Sequence, residues 1–171
     1  MPKVYVTKEF SFAYAHLLPN HSGKCRNLHG HNAKLVVKVS GQVNYNGTRT
    51  DEGMVMDFGD LKKIVNEAVV DKWDHKFLAK GDEWVVDAAH MYMQSAPAPE
   101  LVKDFAVVNQ IVLVHERSTA ENLVKCAFRL IEDALHNARS IAKLEEVTFY
   151  ETDTSYATIT ADSMEVNTVR G

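Results

Sequence analysis

The chain has 171 residues, 46% of them apolar, which is enough for one domain with a sizeable core and too few for two. Its formal net charge of -4 comes from 19 basic and 23 acidic residues interspersed along the chain, which argues against a nucleic-acid partner and for a small-molecule one. No apolar run approaches the roughly 20 residues that cross a bilayer, and MPKVYVTKEF lacks the apolar core of a signal peptide, so a soluble, cytoplasmic protein with no membrane partner is expected.

From Val4 to His16 the apolar residues keep even parity, with Val4, Val6, Phe10, Phe12 and Tyr14 on one face, the period of a half-buried strand that ends with His16 on its buried side. The following LLPNHSGKCRNL carries Pro, Asn, Ser and Gly and reads as a loop. A second strand is predicted from His29 to Ser40, where Leu35, Val37 and Val39 share odd parity with His29 and His31. GQVNYNGTRTDEG has the Gly and Asn content of a hairpin connection, and MVMDF is expected to be a short extended piece. Asp57 and Asp60 have the spacing of a helix cap, and Leu61, Ile64, Val65, Ala68 and Val69 form one helical stripe up to about Lys72.

An insertion of about residues 79–117 follows, containing the proline-broken SAPAPE and ending in the β-branched FAVVNQIVLVHE, which is predicted to be a strand. Ser118-Thr119-Ala120-Glu121 has the spacing of a capping box for a second helix carrying Leu123, Val124, Ala127, Leu130, Ile131 and Leu135. Two closing strands, EEVTFYET and SYATITA, complete one α+β domain over residues 1–171, with helices on one face of an antiparallel sheet.

Two histidines at i and i+2 on a strand point the same way, and His16 joins them if it pairs near His29 or His31. Three neutral imidazoles are a catalytic zinc set with one coordination position left for water or substrate, although a histidine pair on a strand is also a common packed feature. His21 in the loop is a rival ligand. Cys25 stands between Lys24 and Arg26, which suits a base or nucleophile, and a fourth, structural zinc ligand is the alternative. Cys126, the other cysteine, reads as a helix residue of the core boundary. In Asp74-His75 the carboxylate is placed to orient the imidazole for proton transfer. Glu151 has the parity of Val147 and Phe149, so it either points inward, where a heterocycle offering two parallel N–H donors would satisfy it, or lies solvated beyond a strand ending at Tyr150.

Taken together, FSFAYAH, CRNLHGHN, GMVMDFGDLK, WDH, STAENL and YET, in that order over nearly the whole chain, resemble the 6-pyruvoyltetrahydropterin and 6-carboxytetrahydropterin synthase family. The three-residue gap between Cys25 and His29 resembles the carboxy-forming bacterial members. The resemblance implies the tunnelling fold, in which ββααββ subunits form hexamers from two trimers with pockets between subunits. It implies Zn2+ on His16, His29 and His31, proton transfer by Cys25, Asp74 and His75, and a pterin ring anchored by Glu151 in a pocket segment that includes Thr119 and Glu121. The implied reaction is lysis of 7,8-dihydroneopterin triphosphate to 6-carboxytetrahydropterin in queuosine biosynthesis, with the pyruvoyl-forming synthase and a non-catalytic pterin- or zinc-binding module as alternatives. Ser118 departs from the family by standing where bacterial members usually have proline, and the segment from Leu78 to Arg117 is longer than in compact members.

Overall fold

The computed structural model of the chain describes residues 2–46, 50–83 and 110–165. Its centre is the antiparallel pair β1 (Val4–His16) and β2 (His29–Gly41), thirteen residues each. β5 (Lys143–Thr152) pairs antiparallel with β2, and β6 (Ser155–Thr160) pairs antiparallel with β5. Two short strands extend the other side: β3 (Lys76–Lys80) runs parallel to β1, and β4 (Ile111–Val114) runs parallel to β3. The six-stranded order is therefore β4-β3-β1-β2-β5-β6.

The alternation in the sequence sets which face of this sheet is buried. Phe10, Phe12 and Tyr14 of β1, Leu35, Val37 and Val39 of β2, and Val147 and Phe149 of β5 form one apolar surface. The helices cover that surface. Asp57 begins α1 (Phe58–Val65), its side chain accepting from the backbone N–H groups of Gly59 and Asp60, as the spacing predicts. The helical path continues through a π-turn (Asn66–Val70) into a last turn, α2 (Asp71–Trp73), which buries Trp73. The second long helix, α3 (Ala120–Asn137), buries Leu123, Val124, Ala127, Phe128, Ile131 and Leu135. A short helix, α4 (Ala161–Glu165), follows β6. No helix among the described residues is long and apolar enough to cross a membrane.

Three local expectations are corrected, and one lies partly outside the described residues. MVMDF is a bend at Val55–Met56 that leads into α1 at Phe58 rather than an extended piece, and ahead of it Asn44 exchanges backbone hydrogen bonds with Met54 and Gly53. The insertion is anchored by strands at both ends, Phe77–Lys80 lying against Ile111–Val114, so the sheet is mixed rather than wholly antiparallel. Of the strand expected in 105–116, residues 105–109 lie outside the described residues, as does SAPAPE. Thr119, not Ser118, is the N-cap of α3, and its side chain makes no capping bond. Ser118 is fully buried instead.

Leu35 is the centre of this packing, paired with Phe10 on one side and Phe149 on the other and wholly shielded from solvent. Leu35→Ala should cost about 2–5 kcal/mol in urea unfolding, and a loss below about 1 kcal/mol would contradict its central place in the core.

Candidate metal centre and its surroundings

The register of β1 against β2 places His16 opposite His29, Ala15 opposite Gly30 and Tyr14 opposite His31. Residues that alternate along a strand share a face, so His16, His29 and His31 project together from the end of the core surface. Their Nε2 atoms converge: that of His16 lies 3.0 Å from that of His29 and 3.1 Å from that of His31. A Cβ on Gly30 would come within 3.0 Å of the Tyr14 carbonyl oxygen, so the glycine between the two histidines lets the strands close tightly where the imidazoles meet.

Two backbone carbonyls determine which nitrogen each ring turns inward. Nδ1–H of His16 donates to the Ser118 carbonyl at 2.7 Å, and Nδ1–H of His29 donates to the Asn27 carbonyl at 2.7 Å. With Nδ1 committed as the donor, the inward Nε2 of each neutral ring bears a lone pair rather than a proton. The 3.0 Å approach of His16 to His29 therefore sets lone pair against lone pair, an arrangement that a cation relieves. Ligand nitrogens on a tetrahedral zinc stand about 3.3 Å apart, given Zn–N bonds of about 2.0–2.1 Å, so the cluster fits such an ion. Burial is the largest influence on His16 and lowers its pKa to about 4, and burial likewise lowers that of His31, which keeps both rings neutral and ligand-competent near neutrality.

Glu151 lies beside these rings. β5 continues past Tyr150 to Thr152, and the β5–β6 ladder shifts register between those residues, where Glu151 turns its carboxylate inward. Its Oε1 accepts from the Tyr14 hydroxyl at 3.2 Å and stands 3.4 Å from Nε2 of His16 and 3.6 Å from that of His31. Burial and the neighbouring Glu151 carboxylate push the Tyr14 phenol well above its usual range, so it remains a proton donor. The Tyr14 ring packs edge-on against His16 at a centroid distance of 5.1 Å.

The other predicted residues sit around this centre without joining it. Cys25 is half-buried in a 3-10 turn (Lys24–Arg26), and its carbonyl accepts from Leu18 N–H at 2.8 Å, which folds the loop back onto the end of β1. Its sulfur is not among the converging donor atoms. His21 is likewise outside the cluster, its Nδ1 accepting from Gly23 N–H within its own turn.

Asp74 and His75 are fastened to the same strand from its other edge. Asp74 Oδ1 accepts from Ala13 N–H at 2.9 Å, and the His75 N–H donates to the Ala13 carbonyl at 2.7 Å. The Ala13 bond, with a smaller contribution from His75, holds the Asp74 carboxyl below its ordinary pKa. His75 Nδ1 lies 2.9 Å from Asp74 Oδ1, its ring is exposed, and its φ of 57° is in the left-handed region that costs a non-glycine residue energy. Among the described residues no hydrogen bond or ion pair joins this pair to the three histidines. Thr119 is half-buried at the start of α3, and Glu121 is exposed in its first turn.

Sequence parity placed the histidines but not their supports. The Ser118 and Asn27 carbonyls belong to the backbone and carry no residue-type signal. Tyr14 did carry one: it is a hydroxyl on an otherwise apolar core face, two residues before a candidate ligand. The Ser118 hydroxyl, fully buried, has no partner among the described residues.

Comparison with known proteins agrees with this geometry. The profile of the family described as 6-pyruvoyl tetrahydropterin synthase matches residues 5–162. The 6-carboxy-5,6,7,8-tetrahydropterin synthase of Haemophilus influenzae is 51% identical over 73 residues, covering 43% of this chain and 50% of that protein. The chain thus spans about half the length of the curated relatives it matches at such identity. A putative 6-carboxy-5,6,7,8-tetrahydropterin synthase of Pyrococcus horikoshii is 29% identical over 162 residues, with 92% of this chain and 89% of that protein covered. Among solved structures, the 6-pyruvoyl tetrahydropterin synthase of Caenorhabditis elegans superposes with a TM-score of 0.61 at 26% identity, covering 94% of this chain and 97% of that one. An uncharacterized protein of Wolinella succinogenes shares the fold with a TM-score of 0.74 at 20% identity, over 94% of this chain and 99% of that one.

The depressed pKa of His16 has a measurable consequence. An unfolded histidine takes its proton near pH 6.5 and folded His16 only near 4, so between these values the unfolded chain holds the extra proton. The metal-free protein should lose stability as pH falls from 6.5 to about 4, by on the order of 3 kcal/mol. Urea midpoints of the metal-free wild type and of His16→Gln, taken at about pH 7 and about pH 4.5, should show a smaller fall for the variant. Equal falls would remove His16 as the cause.

Proposed function

This chain belongs to the 6-pyruvoyl tetrahydropterin synthase family, and from that premise we propose that it is a zinc-dependent lyase converting 7,8-dihydroneopterin triphosphate and water to 6-carboxy-5,6,7,8-tetrahydropterin, acetaldehyde and triphosphate. The observation that carries the proposal is the set of three imidazoles, His16, His29 and His31, whose Nε2 atoms converge beside an inward-turned carboxylate. The carboxy-forming choice is supported by the Haemophilus influenzae relative and by the short spacing from Cys25 to His29.

His16, His29 and His31 hold the zinc, which when bound polarises substrate side-chain oxygens and stabilises negative charge on them. Cys25, on the loop that leads into β2, takes the part of the base that removes a carbon-bound proton of the side chain. His75, oriented by Asp74, moves protons on the opposite side. The pair is exposed at the outer edge of β1 in one chain, which suits a pocket completed between subunits of a hexamer. Glu151 accepts the two parallel N–H donors of the pterin ring, with Thr119 and Glu121 lining the pocket at the start of α3. The product would feed queuosine synthesis in the cytoplasm.

The pyruvoyl-forming synthase is the second assignment, favoured by the Caenorhabditis elegans structure, and it uses the same residues without breaking a carbon–carbon bond. Incubation with 7,8-dihydroneopterin triphosphate followed by mass analysis separates the two: acetaldehyde should accumulate, and pyruvoyl product without acetaldehyde would overturn the first assignment. His31→Ala should lose bound zinc. Cys25→Ala should keep zinc and lose at least about a hundredfold in turnover, in keeping with the contribution of a general base; loss of metal in that variant would make Cys25 a ligand.

A further inference from the structure

The core face of β1 runs Phe10, Phe12, Tyr14, His16, an aromatic series in which a third phenylalanine would fill the same space as Tyr14. The tyrosine is only 3% exposed, and a buried hydroxyl is kept where it has a partner to bond. Its one hydrogen-bond partner among the described residues is Oε1 of Glu151.

Glu151 depends on that bond more than a residue of a regular ladder would. It stands where the β5–β6 pairing shifts register, so its direction rests on what its side chain touches. Among the described residues three groups face Oε1: the Tyr14 hydroxyl and the Nε2 atoms of His16 and His31. The Nε2 atom of His16 carries no proton in the neutral ring, and metal ligation would occupy both nitrogens, which leaves Tyr14 as the donor that fixes Oε1. Oε2 has no partner among the described residues and remains open to a ligand.

We propose that Tyr14 is a positioning residue, whose hydroxyl holds the Glu151 carboxylate at the angle that lets both oxygens receive the paired N–H donors of a 2-amino-4-oxo heterocycle. The role rests on the assignment of Glu151 as the pterin anchor. A carboxylate has about four lone-pair sites, so Oε1 accepts from Tyr14 and from the ligand at once. Removal of the hydroxyl frees the carboxylate to rotate, and the loss falls on ligands that offer two parallel donors.

The test compares zinc-loaded wild type with Tyr14→Phe, which keeps the ring and its packing. Fluorescence titration uses 7,8-dihydroneopterin and its 2-oxo analogue, which lacks the amino donor. Tyr14→Phe should bind 7,8-dihydroneopterin about tenfold more weakly, as expected for losing a hydrogen bond to a charged acceptor, and the 2-oxo analogue within about twofold of wild type. With the triphosphate substrate, KM should rise in the same proportion while kcat and zinc content hold. Unchanged binding of 7,8-dihydroneopterin by Tyr14→Phe, an equal loss for both ligands, or loss of zinc would each overturn the role of Tyr14 while leaving Glu151 as the anchor. Failure of the wild type to bind 7,8-dihydroneopterin would overturn the pterin assignment itself.

Discussion

The pairing of β1 with β2 is the constraint on which the rest of the site depends. His16 faces His29, and His31 stands beside them, only because the two strands are aligned as they are. A slip of one residue would turn every side chain of one strand to the opposite face and send two imidazoles to the wrong side of the sheet. What prevents the slip is far from the histidines: Phe10 against Leu35, Phe12 against Ala33, and Val39 at the other end, all buried beneath the helices. The apolar core thus determines the geometry of a polar site, and the energy that holds the three rings together is mostly that of burying aliphatic and aromatic surface.

The shell around the histidines is drawn from distant parts of the chain. Ser118, 102 residues beyond His16, gives up its carbonyl to that ring at the entry to α3, while its own hydroxyl is buried with no partner among the described residues. The shift from Ser118 to Thr119 as the helix cap has the same origin: Ser118 is pulled inward, and α3 begins one residue later without a side-chain cap.

Much of the fold could be read from periodicity. β1 begins and ends where its even parity begins and ends, and β2 differs from its expected span by one residue. Glu151 points inward as its parity with Phe149 implies, and β5 does not stop at Tyr150. Parity could not reveal β3, because this short strand takes its direction from parallel partners that are remote in sequence, whereas β4 falls within the strand expected from the β-branched run at 105–116. Nor could it find the carbonyls that orient His16 and His29, since every residue has one and only the folded path selects which is used. The capping box before α3 was a sound local pattern overridden by burial. Asp74-His75 was legible as a pair, but its attachment to Ala13 depends on where the preceding helix ends.

That ending is shifted by the π-turn at Asn66–Val70. A π-turn lodges one residue more than a regular α-turn, and each residue of an α-helix turns the chain by about 100°. Everything beyond Val70 is therefore rotated by roughly that angle relative to an unbroken helix. With the turn in place, Trp73 faces the core beside Phe12 and Phe149, and Asp74 emerges at the edge of β1, within reach of Ala13. A chain shortened by one residue here would keep its helix and its apolar stripe, yet deliver tryptophan and aspartate to different sides of the molecule. The wide turn acts as a phase adjuster, setting the angle at which a helix hands its last residues to the sheet.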